Sequence, residues 1–205
     1  LLDLRAGELV QHTPKNLITH CAPVIWNSRA NDATFDRFIH DLCGGDQELQ
    51  QFLQRAVGRS LMATHKEDAF FILVGPGGTG KTTFLRIWDI LLGPLSQSIN
   101  PSVLLKSNRS GGPAPELLSM QGKRFVFASE IDSDQQLSEA TLKRLASNDQ
   151  INARPMYAKS ETVFEAEVTL WIAVNELPQF DPNDSGIQRR LVCVPITNVI
   201  APERR

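Results

Sequence analysis

Eight consecutive residues, Gly75-Pro76-Gly77-Gly78-Thr79-Gly80-Lys81-Thr82, have the types and spacing of a loop that wraps phosphate. Glycines let backbone N–H groups turn inward around an anion, and the start of a following helix adds positive potential. The pattern GxxxxGK[ST] sets Lys81 to reach the β- and γ-phosphates of a nucleoside triphosphate such as ATP. Thr82 then offers its hydroxyl to Mg²⁺, and Thr83 completes the nucleotide-binding candidates. A plain glycine-rich turn is the alternative. It is disfavoured by the full match and by its flanks, a buried strand before and an amphipathic helix after.

Two polar residues close other apolar runs. Phe125-Val126-Phe127-Ala128 ends in Ser129-Glu130, and a carboxylate at a strand's C-terminal edge sits where ligands bind in open α/β sheets. Glu130 can polarise the water that attacks a γ-phosphate. P-loop ATPases usually carry Asp before that Glu. With Ser129 there, metal anchoring rests on Thr82, with Glu130 and Ser129 acting through ordered water and Asp132 as a fallback carboxylate. The alternative is that Glu130 only caps the next segment. The run 169–174 ends at Asn175, whose amide can touch both γ-phosphate and attacking water; a turn-forming Asn before Glu176-Leu177-Pro178 is the plainer reading.

Basic residues form two further groups. Arg189 and Arg190 precede the last apolar run. They can pair with surface acids, or one can be an arginine finger inserted into a neighbouring subunit's site. Residues 141–160 carry Lys143, Arg144, Arg154 and Lys159 against Asp149, a local charge of +3 on a chain whose net charge is −2. This stretch has the length of a β-hairpin with its tip near Tyr157–Glu161. A tip carrying Lys159 would meet nucleic-acid phosphates in a central channel; a solvated charged loop is the alternative. A zinc site from His20, Cys21, His40 and Cys43 is set aside, because the last two fall in a helix with an apolar face and no CxxC exists. Nothing resembles a hydrolytic Ser/His/Asp set.

The elements that must position these groups are legible from periodicity. Residues 1–28 read as an extended pair turning at Gly7. Helical spacing covers 33–43 and stops at Gly44-Gly45; Asp46 then caps a helix over 47–62 with Leu49, Phe52, Leu53, Ala56 and Val57 on one face. Continuous apolar runs at 69–74, 125–128, 169–174 and 191–196 predict strands covered on both faces. Helices at 80–92 and 138–146 between them indicate a mainly parallel sheet. The gap of about 50 residues between the phosphate loop and Glu130 leaves room for another strand and two helices. That suits the additional-strand branch of P-loop ATPases better than a compact nucleotide kinase. Segment 106–115 is the expected mobile loop. The expected organisation is an extended segment at 1–28, a small helical domain at 29–64 and an ATPase domain at 65–205.

With 205 residues, 41% hydrophobic and 21% charged, the chain can bury a core, and global disorder is excluded. No apolar run approaches the roughly 20 residues of a membrane span. The chain opens Leu1-Leu2-Asp3, so an excised piece of a longer protein is expected. Three widely spaced cysteines, Cys21, Cys43 and Cys193, do not describe a disulfide framework and favour a reducing, cytoplasmic compartment.

The order of motifs resembles the helicase domain of phage/plasmid-type primase–helicases, within the superfamily 3 AAA+ helicases. The resemblance covers roughly residues 1–197. It is carried by the phosphate loop; by Gly112, Pro115, Glu116 and Leu117; by Gly122-x-Arg124 leading into Ala128-Ser129-Glu130; and by Leu142-Lys143-Arg144-Leu145. It continues through Asp149-x-Ile151-x-Ala153-Arg154-x-x-Tyr157, Leu170-Trp171-x-Ala173-x-Asn175-x-Leu177-Pro178 and Gly186-Ile187-x-Arg189-Arg190-Leu191. The resemblance implies an α/β P-loop NTPase acting as a hexameric ring that moves on single-stranded DNA with ATP and Mg²⁺, usually 3′ to 5′. It further implies a covalently linked primase or polymerase part upstream, and a bacterial host cytoplasm. By the resemblance, Glu130 is the catalytic carboxylate, Asn175 the sensor, Arg190 rather than Arg189 the finger, and Lys159 the DNA contact, with Arg154, Tyr157 and Lys143 beside it. A DNA-melting or loading scaffold without processive unwinding is the alternative; a small-molecule kinase leaves the basic hairpin and Asn175 without a role.

Overall fold

The computed structural model describes residues 1–3, 6–62, 67–106, 115–147, 149–153, 160, 162–201 and 203. Strands β1 (Leu2–Asp3) and β2 (Glu8–Leu9) pair antiparallel across the turn at Gly7, as the sequence predicts. Helix α1 (Ala33–Leu42) starts where the Asp32 carboxylate accepts from the N–H groups of Thr34 and Phe35. The chain turns at Gly44 and Gly45, both with positive φ (60° and 84°). Helix α2 (Gln47–Ser60) then starts on the Asp46 carboxylate, which accepts from Glu48 and Leu49. From residue 70 the chain alternates. In order come β3 (Phe70–Val74), α3 (Lys81–Leu92), β4 (Ser96–Ser98), α4 (Pro115–Leu118), β5 (Phe125–Ser129) and α5 (Glu139–Ala146). The hairpin β6 (Gln150–Ala153) and β7 (Thr162–Glu165) follows, then β8 (Thr169–Val174), α6 (Ser185–Gln188) and β9 (Leu191–Pro195).

Five strands form one parallel sheet in the order β4-β5-β8-β3-β9. The fold is α/β and compatible with a P-loop NTPase. Strand β8 separates β3 from β5 within the sheet, and along the chain one further strand lies between the phosphate loop and the acidic strand. The extra strand is β4. Its Ser96-Gln97-Ser98 has no apolar signature because it lies at the sheet's edge, and the sequence alone located no strand there.

Side chains alternate between two cores, one per sheet face. Phe71, Leu73, Phe125, Phe127 and Trp171 join Phe84 and Leu85 of α3 and Leu53, Ala56 and Val57 of α2. Phe70, Ile72, Val126, Ala128, Leu170 and Ile172 join Leu142 and Leu145 of α5. The continuous apolar runs of the strands therefore need no polar face. Trp171 is fully buried; its ring stacks on Phe71 at 4.4 Å and its indole N–H donates to Ser60 Oγ at 3.0 Å. That bond ties the C-terminal end of α2 to the middle of the sheet, so the helical piece shares a core with the strands.

The hairpin expected between α5 and β8 has its legs in register from Gln150 opposite Glu165 to Ala153 opposite Thr162. Arg154, Tyr157 and Lys159 lie outside the described residues, as does most of the expected loop at 106–115. Among the described residues no helix is long and apolar enough to cross a membrane.

Removing the Ser60 hydroxyl leaves the buried indole N–H without a partner, a loss of about 1–3 kcal/mol. Ser60→Ala should therefore lower the urea midpoint, and Trp171→Ala should lower it further, by about 3–5 kcal/mol of stability. An unchanged midpoint in Ser60→Ala would show that α2 is not held to the sheet through this contact.

Candidate nucleotide site

The C-terminal edge of the sheet gathers the residues that the sequence singles out. Register pairs Ser129 with Ala173 and Val74 with Val174, so Glu130, Asn175 and Gly75 each follow the last paired residue of adjacent strands. The edge stays closed by Gly75 N–H donating to Val174 O and Glu130 N–H donating to Ala173 O, both at 3.3 Å. Gly75 is required sterically: a Cβ there would lie 1.9 Å from the carbonyl oxygen of Ile196, where the chain leaving β9 crosses the loop. Glu130 has φ of 66°, a left-handed conformation that non-glycine residues adopt at a cost of about 1 kcal/mol or more; it turns the chain out of the sheet with its carboxylate exposed.

Lys81 opens α3 and is 6% exposed. Its ammonium donates to Gly75 O at 2.6 Å, Pro76 O at 2.8 Å, Thr79 Oγ1 at 3.2 Å and Asn175 Oδ1 at 3.5 Å. All four acceptors are neutral, and among the described residues no carboxylate pairs with it. Burial accordingly pushes its pKa below the ordinary lysine value. A buried cation solvated only by dipoles, at the head of a helix and beneath a glycine loop, has the electrostatics that an anion would complement.

Around it lies a cavity of about 580 Å³, lined by residues 77–83, 130–133 and 173–176. Lys81, Thr82, Thr83, Glu130 and Asn175 are thereby brought together. Asp132 lines it too. Ser129 stays half-buried at the end of β5 and is not part of the lining, whereas Asp132 and Ser133 are. Ser133 and Glu176 also line the cavity, each directly after a residue that the sequence singles out, Asp132 and Asn175. The oxygen donors of Thr82, Glu130 and Asp132 suit Mg²⁺, which is characteristically held by one or two carboxylates plus substrate phosphates and water. No group of three or more His, Cys, Asp or Glu is close enough among the described residues to hold a metal by itself. The Cys43 thiol, buried and beside Asp46, is pushed up to about 11.

One expectation needs correction. Arg190 is 7% exposed and held within its own chain. Its Nη2 pairs with Asp68 at 2.8 Å, Nε donates to Ser147 Oγ at 2.9 Å and Nη1 donates to Gly186 O at 3.0 Å. A guanidinium locked on three sides is not presented to a neighbouring molecule, whereas Arg189 is exposed. The order of preference between the two arginines is therefore reversed. Lys143, expected beside nucleic acid, pairs with Asp184 at 2.6 Å and ties α5 to α6. Its hydrogen bond holds the Asp184 carboxyl below the usual carboxylate range. Sequence spacing could not reveal these ion pairs, because the acidic partners lie 41 and 122 residues away.

The DUF5906 family, described as a family of unknown function, matches residues 73–190. A protein of Acanthamoeba polyphaga mimivirus named "Putative helicase" is 26% identical over 200 residues, 95% of this chain and 21% of that protein. Another "Putative helicase", from Frog virus 3 (isolate Goorha), is 26% identical over 154 residues, 73% of this chain and 16% of that protein. The chain thus spans about a fifth of the length of these viral relatives. Among solved structures, the apo C-terminal region of NrS-1 superposes with a TM-score of 0.63 at 18% identity, over 84% of this chain and 41% of that one. That likeness is one of fold.

Because Lys81 is a buried charge with neutral partners only, Lys81→Met should leave the melting temperature without ligand unchanged or raised, while abolishing any upward shift on adding Mg²⁺–ATP. A marked fall without ligand, or a retained ATP shift, would contradict the anion-receptor account. Arg190→Ala, by contrast, should destabilise by about 2 kcal/mol, moderated because Asp68 is partly exposed, while Arg189→Ala should not change the melting temperature.

Proposed function

From the premise that this chain belongs to DUF5906, a family of unknown function, we propose that it is the ATP-hydrolysing part of a helicase that moves on single-stranded DNA. The observation that carries the reading is the buried Lys81 ammonium, which shares one sheet edge with Glu130 and Asn175. The helicase names of the viral relatives support the nucleic-acid part.

In this reading Lys81 and the loop N–H groups hold the β- and γ-phosphates of ATP. Thr82, with Glu130 and Asp132 acting through water, would hold Mg²⁺, which neutralises charge building on the phosphate oxygens. Glu130 takes the proton of the attacking water. The Asn175 amide oxygen faces the Lys81 ammonium, so its N–H₂ is left to sense the γ-phosphate. The reaction is phosphoryl transfer to water, driven by positioning and charge stabilisation.

The finer assignments are part of the proposal. They are a superfamily 3 AAA+ hexamer with Arg189 completing a neighbour's site, and DNA held by Lys159, Arg154 and Tyr157 beyond the ends of β6 and β7. They also include a linked primase or polymerase part in the longer protein of a phage, plasmid or related element, working in the host cytoplasm. A ring would multiply the local positive charge of the hairpin region into a collar, which offsets the chain's overall negative balance.

ATP turnover should require Mg²⁺ and rise on adding single-stranded oligonucleotide. Glu130→Gln should lose about 10²-fold or more of kcat while still binding ATP, and Arg189→Ala should lose about 10³-fold in the assembled protein. An assembled protein whose turnover ignores single-stranded DNA would replace the translocase with the scaffold reading. A Glu130→Gln protein with normal turnover would remove Glu130 from the mechanism.

A further inference from the structure

Two stretches of chain descend side by side from the nucleotide edge of the sheet toward the opposite edge. One leaves β5 at Glu130 and continues into α5; the other leaves β8 at Asn175 and continues into α6. They are tied along their length. Leu137 N–H donates to Gln179 O at 2.8 Å, and Gln179 N–H donates to Gln135 O at 2.9 Å. Further down, Asp181 N–H donates to Glu139 Oε1 at 3.2 Å and Lys143 pairs with Asp184 at 2.6 Å. Gly186 makes room for that pair, since a Cβ there would lie 2.9 Å from Lys143 Cδ. At the far end Arg190 Nε donates to Ser147 Oγ at 2.9 Å.

The far end of this ladder surrounds Arg189. Its N–H donates to Ser185 O at 3.3 Å as α6 ends. The next residue is held more firmly. Asp68 Oδ2 accepts from Arg190 Nη2 at 2.8 Å and from Ser147 Oγ at 3.0 Å, so one carboxylate oxygen joins the end of α5 to the arginine. Arg190 O accepts from Phe70 N–H at 2.9 Å, which registers the backbone against the first residue of β3. The main chain on both sides of Arg189 is therefore fixed while its own side chain is exposed. Strand β3 begins at this edge and delivers the phosphate loop at the other, so Arg189 stands across the sheet from the Lys81 of its own chain.

We infer that Arg190, Asp68 and Ser147 are positioning residues for Arg189: they lock its backbone to the end of α5, so that the arginine is presented at a fixed point to the nucleotide site of a second copy of this chain. The inference rests on the function proposed above and deepens it. A charge stabilises a transition state when its place is set in advance, and a misplacement of about 1 Å can cost about 10²-fold in rate. An arginine on an untethered turn would have to be ordered at each encounter; here the ordering is built into the chain. Asp68 also suits this role better than one in stability alone. Its side chain is 41% exposed, and an ion pair so open to water contributes little to folding.

The test is ATP turnover by the assembled protein, alone and with two kinds of subunit mixed. Asp68→Asn and Ser147→Ala should each lower kcat by about tenfold or more with KM for ATP unchanged, whereas Ser147→Thr, which keeps the hydroxyl, should turn over normally. In the function proposed above, Glu130→Gln chains bind ATP without hydrolysing it, so in a mixture they act only on a neighbour's site. Glu130→Gln chains that also carry Asp68→Asn should slow their intact neighbours more than Glu130→Gln chains alone do, and Ser147→Ala should repeat the result without a change of charge. Equal turnover in these mixtures would overturn the positioning role and leave Arg189 as the finger. So would a raised KM with kcat kept, or a Ser147→Thr protein as slow as Ser147→Ala. Turnover that Arg189→Ala leaves unchanged in the same assembly would overturn the finger itself, and this inference with it.

Discussion

A lysine ammonium buried among neutral oxygens is the constraint around which the rest of this structure is arranged. Lys81 has left water, has met carbonyl, hydroxyl and amide dipoles, and has no counter-charge among the described residues. Desolvation of such a group is unfavourable, and the depressed proton affinity is its signature. In the function proposed above, the phosphates of a nucleotide at the glycine loop and helix head supply the charge that pairs with it.

The remaining architecture follows from holding that charge in place. Parallel strands bring three chain segments to one edge, so the loop, the acidic turn and the amide arise as consecutive C-terminal ends. Gly75 lets the chain beyond β9 cross the loop at contact distance, and that same chain reaches α1 through Asn198. Trp171, stacked between Phe71 and Phe125 and bonded to Ser60, fastens the helical piece to the centre of the sheet. Phosphate loop, sheet core and N-terminal helices are therefore one packed unit. The second pair of ties, Arg190 with Asp68 and Ser147 and Lys143 with Asp184, fixes the other flank and holds α5 against α6 and the start of β9.

Much of this was legible in sequence where one local pattern determines one outcome. The apolar runs specify buried strands, Asp32 and Asp46 specify helix starts, and the glycine-lysine-threonine pattern specifies the loop. What was not legible depends on partners far along the chain. Arg190 reads as a better finger than Arg189 until Asp68 and Ser147 are seen around it. The pairing of Lys143 with Asp184 across 41 residues was equally hidden. Strand β4 is too short and polar to signal itself, because an edge strand needs only one covered face.

The most direct measurement is the proton affinity of the Lys81 ammonium itself, followed by ¹⁵N NMR with and without Mg²⁺–ATP. Without nucleotide it should titrate below an ordinary lysine, and with nucleotide it should move upward as the phosphates supply the missing negative charge. An ordinary lysine titration that ATP does not move would contradict the claim that this charge is buried to receive phosphate.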